Sequence, residues 1–248
     1  MKKLLVALTA LVVLVGVSSA DGWVPSGSVT TAVSSKLLVP VLGWVKYEKA
    51  ACFTADVTLN LPEGFILEVT EYGGVDFNLD SDGADELDFI LWKKFNLSQD
   101  SYLKLRVKYA NGFPLSLMNG NDMWSYDLFL GQTVKVNSQI SMVAEMRLEY
   151  CHYVRSLAEG VWVVMPSISA SYTIDPTFSI YGKVGGLYNS KFLSFGELVS
   201  GQASLGVKTK VMKNLTLVVD ASGLLLDVKS GDPRKSDVVY TTSLTLNY

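Results

Sequence analysis

The chain has 248 residues, 49% of them hydrophobic and 18% charged, with a net charge of −3. No basic patch suits nucleic acid, and after the first twenty residues no apolar run is long enough for a membrane helix. One all-β domain of ordinary size accounts for the length, with no Pro/Ser-rich linker to mark a second.

Lys2 and Lys3 precede an apolar run from Leu4 to Val17, and Ser18-Ser19-Ala20 supplies small residues at the cleavage positions. This is the pattern of a secretory signal peptide at 1–20, cut after Ala20. Cleavage leaves 228 residues, 21–248, as one domain. It removes two lysines, so the net charge moves from −3 to −5.

Val29 to Lys36 has the composition of a first strand. Leu37 to Tyr47 is apolar but interrupted by Pro40 and Gly43, so it is either a loop or part of a kinked strand. From Cys52 onward alternate residues are apolar, the pattern of a strand with two unlike faces. Phe53, Ala55, Val57 and Leu59 alternate with Thr54, Asp56 and Thr58, and Pro62-Glu63-Gly64 turns the chain. Phe65, Leu67 and Val69 continue the pattern before an acidic loop. Leu87 to Leu97 is irregular, because Ile90 and Trp92 share the parity of Asp88 and Lys94. That predicts either a register slip or an apolar patch on the polar face.

Further on, Leu103, Leu105, Val107 and Tyr109 oppose Lys104, Arg106 and Lys108. Trp124, Tyr126, Leu128 and Leu130 oppose Ser125, Asp127 and Phe129. Met142, Ala144, Met146 and Leu148 oppose Glu145, Arg147 and Glu149. After an expected loop at 152–160, Trp162, Val164 and Ile168 oppose Ser167 and Ser169. Pro166, which cannot donate to a ladder, predicts a bulge. Phe178, Ile180 and Val184 oppose Lys183; Leu205 and Val207 oppose Lys208; Leu217 and Val219 oppose Asp220. Connections alternate between short turns and longer loops, and the strands number about twelve, with ten as the alternative.

The last residues, Val238 to Tyr248, place Val238, Tyr240, Leu244, Leu246 and Tyr248 on one parity and mostly Thr, Ser and Asn on the other. Aromatic residues gather near both ends of the apolar faces, as in two interfacial girdles. The chain resembles the outer-membrane β-barrels of diderm bacteria, whose terminal strand usually ends in Phe; Tyr248 stands there instead. The resemblance implies an all-β, transmembrane, antiparallel up-and-down barrel. It also implies an outer-membrane location among lipid and lipopolysaccharide, recognition of Val238–Tyr248 by the barrel-assembly machinery, and closure of the last strand on the first. A monomer is expected.

On this topology Lys104, Arg106, Lys108, Asp127, Glu145, Arg147, Glu149, Lys183, Lys208 and Asp220 line the interior. Charges of both signs on neighbouring strands either form a field across an open pore or fill the interior with ion pairs. The leading expectation is a passive diffusion channel for small polar solutes. The alternative is a non-conducting surface barrel whose loops bind a partner or divalent-bridged lipopolysaccharide. No hydrolase or protease signature accompanies the lone His152, so no enzyme is expected. Cys52 and Cys151 fall on well-separated strands and are expected as separate thiols.

Within the acidic segment 76–88, Asn78, Asp80 and Asp82 alternate ahead of Gly83, like the start of a calcium loop, although Phe89 stands where a bidentate Glu is needed. If the loop holds calcium, millimolar Ca2+ raises the thermal unfolding temperature of the native chain and not that of the Asp80→Asn/Asp82→Asn variant. Equal melting curves with and without Ca2+ dismiss the site.

Overall fold

The computed structural model describes residues 26–35, 37–39, 44–46, 51–75, 86–111, 122–153, 156–189, 198–227 and 237–248. Among the described residues fourteen strands run in chain order. They are β1 (Ser26–Ser34), β2 (Leu37–Val39), β3 (Trp44–Lys46), β4 (Ala51–Asn60), β5 (Phe65–Val75), β6 (Glu86–Asn96) and β7 (Ser101–Asn111). The rest are β8 (Met123–Lys135), β9 (Ile140–Tyr153), β10 (Ser156–Thr173), β11 (Phe178–Asn189), β12 (Leu198–Met212), β13 (Leu215–Asp227) and β14 (Asp237–Asn247). β1 and β4 to β14 form one closed antiparallel barrel of twelve strands, which removes the ten-strand alternative. Among the described residues β2 and β3 pair with each other as a separate two-stranded antiparallel sheet and not with the barrel sheet. The signal peptide and the proposed calcium ligands Asn78, Asp80 and Asp82 lie outside the described residues.

Closure is made by β1, which pairs with β14 on one side and β4 on the other. Tyr248 completes it. Its backbone exchanges two hydrogen bonds with Gly27, and its hydroxyl donates to the Thr58 carbonyl on β4 at 3.1 Å. A Cβ at Gly27 would collide with the Thr58 carbonyl oxygen and fall 2.8 Å from that hydroxyl, so glycine lets both β4 and the terminal tyrosine approach β1 closely. The C-terminal residue thus spans three strands of the seam.

Short turns join the strands at one end, and polar side chains fasten several of them. Asn137 accepts from the amides of Gln139 and Ile140, and Ser98 from those of Asp100 and Ser101. Asp175 accepts from the Thr177 hydroxyl and amide, which hold its carboxyl below the ordinary range. At Pro62–Gly64 both Glu63 and Gly64 have positive φ, and the strands reverse tightly there.

The apolar parity points outward. Leu205 is 64% exposed, Val184 58% and Ile168 50%, so these side chains do not form a dry centre. Ile90 and Trp92 face inward while Phe89 and Leu91 face outward, so the irregular strand carries an interior apolar patch with no register slip. The loop expected at 152–160 is mostly strand: β9 continues to Tyr153 and β10 starts at Ser156, with a register shift between Ser156 and Val161. Outward aromatic contacts support that extension. Tyr150 packs on Trp162 with ring centroids 5.0 Å apart, and His152 stacks on Tyr126 at 6.0 Å. No bulge occurs at Pro166; β10 keeps register on both sides, and the ladder to β11 omits two pairs instead. Cys52 on β4 and Cys151 on β9 are buried and are not joined in a disulfide.

Tyr248→Phe removes one hydroxyl–carbonyl bond and costs about 1 kcal/mol. Gly27→Val drives a side chain into the Thr58 carbonyl as well as the Tyr248 ring, and lowers the temperature of gel-shift unfolding further than Tyr248→Phe does. Equal transitions for wild type and both variants would contradict the clamp.

Candidate functional site

Twelve antiparallel strands place every second residue inside. Register then decides which inward residues meet. Arg106 on β7 stands opposite Asp127 on β8, and Asp127 opposite Glu149 on β9. One position along, Lys104, Phe129 and Arg147 form the next row. The charged row binds tightly. Arg106 Nε donates to Asp127 Oδ2 at 2.7 Å, and Arg147 Nε to Asp127 Oδ1 at 2.5 Å. Arg147 Nη2 donates to Glu149 Oε2 at 2.6 Å. Lys108 Nζ reaches Asp88 Oδ2 at 3.1 Å. The carboxylates of Asp127, Glu149 and Asp88 are at most 1% exposed. Burial of that degree is tolerated only where partners and hydrogen bonds replace water, and Asp127 has both oxygens occupied.

Phe129 lies at the centre of this wall and is 5% exposed. The Lys104 ammonium sits 3.9 Å from its ring centroid, and the guanidinium carbons of Arg106 and Arg147 lie 5.4 and 5.3 Å away. A ring face of negative potential among three cations offsets part of their mutual repulsion. Lys104 also approaches Trp92 at 5.4 Å, whose indole N–H donates to Glu68 at 3.2 Å. Glu145 accepts a hydrogen bond from Tyr102, whose ring lies against Gly131, where a side chain would collide with it.

The opposite wall is different. Lys183 on β11 and Lys208 on β12 face the interior, are exposed and form no ion pair among the described residues. Asp220 on β13 accepts from Ser222 at 3.1 Å. Small hydroxyl side chains fill much of this side, including Ser167, Ser204 and Ser222, and Thr30 bonds Thr245 across the closing seam at 2.9 Å. Between the walls lies an interior cavity of about 280 Å³, bordered by Phe129, Glu145 and Arg147 on one side and Lys183, Gln202 and Ser204 on the other.

Register therefore brings Lys104, Arg106, Asp127, Glu145, Arg147 and Glu149 into one cluster with Lys108 beside it, while Lys183, Lys208 and Asp220 stand apart. Phe129, Trp92, Ile90 and Glu68 belong to the same surface but were not among the expected lining residues. Their parity was the available signal, since an apolar residue on the charged parity of a barrel strand must face the interior. Asp88, at the end of the acidic segment, turns inward to Lys108. Among the described residues no three His, Cys, Asp or Glu converge as a metal set. His152 is on the outward parity, between Tyr126 and Tyr150.

No protein-family model matches the chain, and no curated protein sequence matches it. Solved structures do. The KdgM porin superposes with a TM-score of 0.57 at 10% identity, covering 89% of this chain and 99% of its own. The NanC porin gives 0.58 at 10% identity, covering 89% and 98%. An outer membrane channel from Pseudomonas putida F1 gives 0.57 at 11% identity, covering 90% and 95%. At such low identity the likeness is one of fold, and the fold is that of small porin-like outer-membrane barrels.

The ion network predicts a graded response. Arg147→Met strips a partner from two buried carboxylates and costs about 3–5 kcal/mol. Lys208→Met, at an exposed and unpaired position, changes stability by less than about 0.5 kcal/mol. Denaturant unfolding of barrels reconstituted in lipid vesicles measures both, and similar values for the two variants would contradict the network.

Proposed function

We propose that the protein is a porin-like channel of the outer membrane that passes small polar solutes by passive diffusion. One observation carries this reading. A closed wall with an apolar outside encloses a cavity bordered by charges of both signs, with Arg147 and Glu145 facing Lys183. A charged interior behind a closed wall of paired strands is the arrangement that lets polar solutes cross hydrocarbon. The likeness in fold to porins supports it, as does the apolar alternation of the terminal strand.

The interior is unequal around its circumference. The β7–β9 wall is narrowed by paired side chains and the caged Phe129, while the β10–β14 wall carries hydroxyls and unpaired lysines. A solute passing the cavity meets mutually neutralised charge on one flank and exposed ammonium groups on the other. Such asymmetry produces a transverse field, which orders polar solutes by charge and dipole. The density of the β7–β9 network also favours a second reading, a filled barrel that acts through its outer loops.

Planar bilayers separate the two readings. The purified barrel is expected to give stepwise conductance. Lys104→Glu is expected to move the reversal potential toward cations, and Phe129→Ala to raise the unit conductance. A silent membrane at saturating protein rejects the channel and favours the filled barrel.

A further inference from the structure

The barrel wall has a weak seam between β10 and β11. Pairing runs through Val164–Tyr188, omits Met165–Leu187 and Pro166–Gly186, and resumes at Ser167–Gly185 in the same register. Pro166 has no amide hydrogen to donate, and two adjacent glycines face it. Irregular backbone at membrane depth is tolerated where it lines a water-filled cavity, and the interior cavity lies directly behind this seam.

Outside the same seam is a trough of about 780 Å³. Its rim is apolar, with Leu130, Met146, Ile168 and Val184, and its floor is low because Ala144 and Gly186 carry little or no side chain. The trough and the interior cavity share Glu145, Pro166, Ser167, Gly185 and Gly186, so one layer of residues separates them. Immediately inside are Lys183 without an ion pair and the Gln202 amide nitrogen, which is buried without a hydrogen-bond partner among the described residues. Arg147 is close by, and Glu145 is engaged by Tyr102.

We propose that this seam is a lateral portal and binding site for a single-chain anionic amphiphile such as a fatty acid. The hydrocarbon chain lies in the outer trough, and the carboxylate reaches inward to Lys183 and Gln202. An apolar groove opposite a cation and an unmet amide donor, across one residue layer, matches a ligand with those two ends. The proposal goes beyond the diffusion channel and shares with it only the reading that the outward face meets lipid.

The test uses the full-length mature barrel in phosphatidylcholine vesicles and two photoreactive forms of dodecanoate. One carries a diazirine at the chain end and the other beside the carboxylate. The chain-end probe is expected to label Ile168 and Val184, and the carboxylate-end probe Gln202 or Ser204. Gly186→Leu fills the trough at a position where a Cβ meets only ordinary contacts, 3.7 Å from Pro166. It should lower labelling about tenfold, as loss of a few methylene contacts does. Pro166→Val restores the missing donor and should abolish interior labelling while leaving the heat-shifted gel mobility of a folded barrel intact. Lys183→Gln should weaken labelling by both probes. Labelling of outward residues alone by the carboxylate-end probe, or unchanged labelling in Gly186→Leu, overturns the portal and leaves ordinary boundary lipid. A conducting barrel labelled only outside rejects the portal and keeps the channel; a silent barrel labelled across the seam does the reverse.

Discussion

Backbone pairing around a closed circuit is the constraint on which everything else depends. A strand in hydrocarbon has no water to satisfy its N–H and C=O groups, and an open sheet would leave two edges unmet. Here the first barrel strand is held by the last and by β4, and Tyr248 fastens all three. Closure then fixes the two faces. Every inward residue is committed to a confined interior, and every outward one to the surroundings of the barrel.

That commitment explains the chemistry of the interior. Carboxylates and guanidiniums that enter it lose much of their water, so they survive by pairing. Asp127 holds two arginines, and Arg147 holds two carboxylates. Phe129 is not an intruder among them; its ring face moderates three cations that would otherwise repel. The result is a rigid charged flank facing a looser one, where Lys183 and Lys208 remain exposed. The same logic applies to the wall. Where Pro166 and the facing glycines interrupt pairing, polar space lies on one side and an apolar trough on the other.

The sequence made much of this legible because a strand has a period of two. Alternation located the barrel strands from β4 to β14 and assigned Arg106, Asp127 and Glu149 to a common face before any contact was known. It failed where its own assumptions failed. Leu37–Tyr47 has no clean alternation, and its two short strands pair with each other and not with the barrel sheet. The 152–160 stretch resembled a loop because polar residues and Gly160 interrupt it, yet the chain keeps pairing beside stacked aromatics. Pro166 predicted a bulge, since sequence shows a missing donor but not whether the neighbour adjusts; with Gly185 and Gly186 opposite, the strand could drop two pairs and keep its register.

By itself, then, the chain's order of residues determined an all-β class and which side chains share a face, because those follow from local patterns of charge and hydrophobicity. Closure at twelve strands, the encirclement of Phe129 and the division of partners among Arg106, Arg147, Asp127 and Glu149 were decided only by tertiary structure. Parity assigns a residue to a face, but only register between strands distant in sequence decides which charge lies within bonding distance of which.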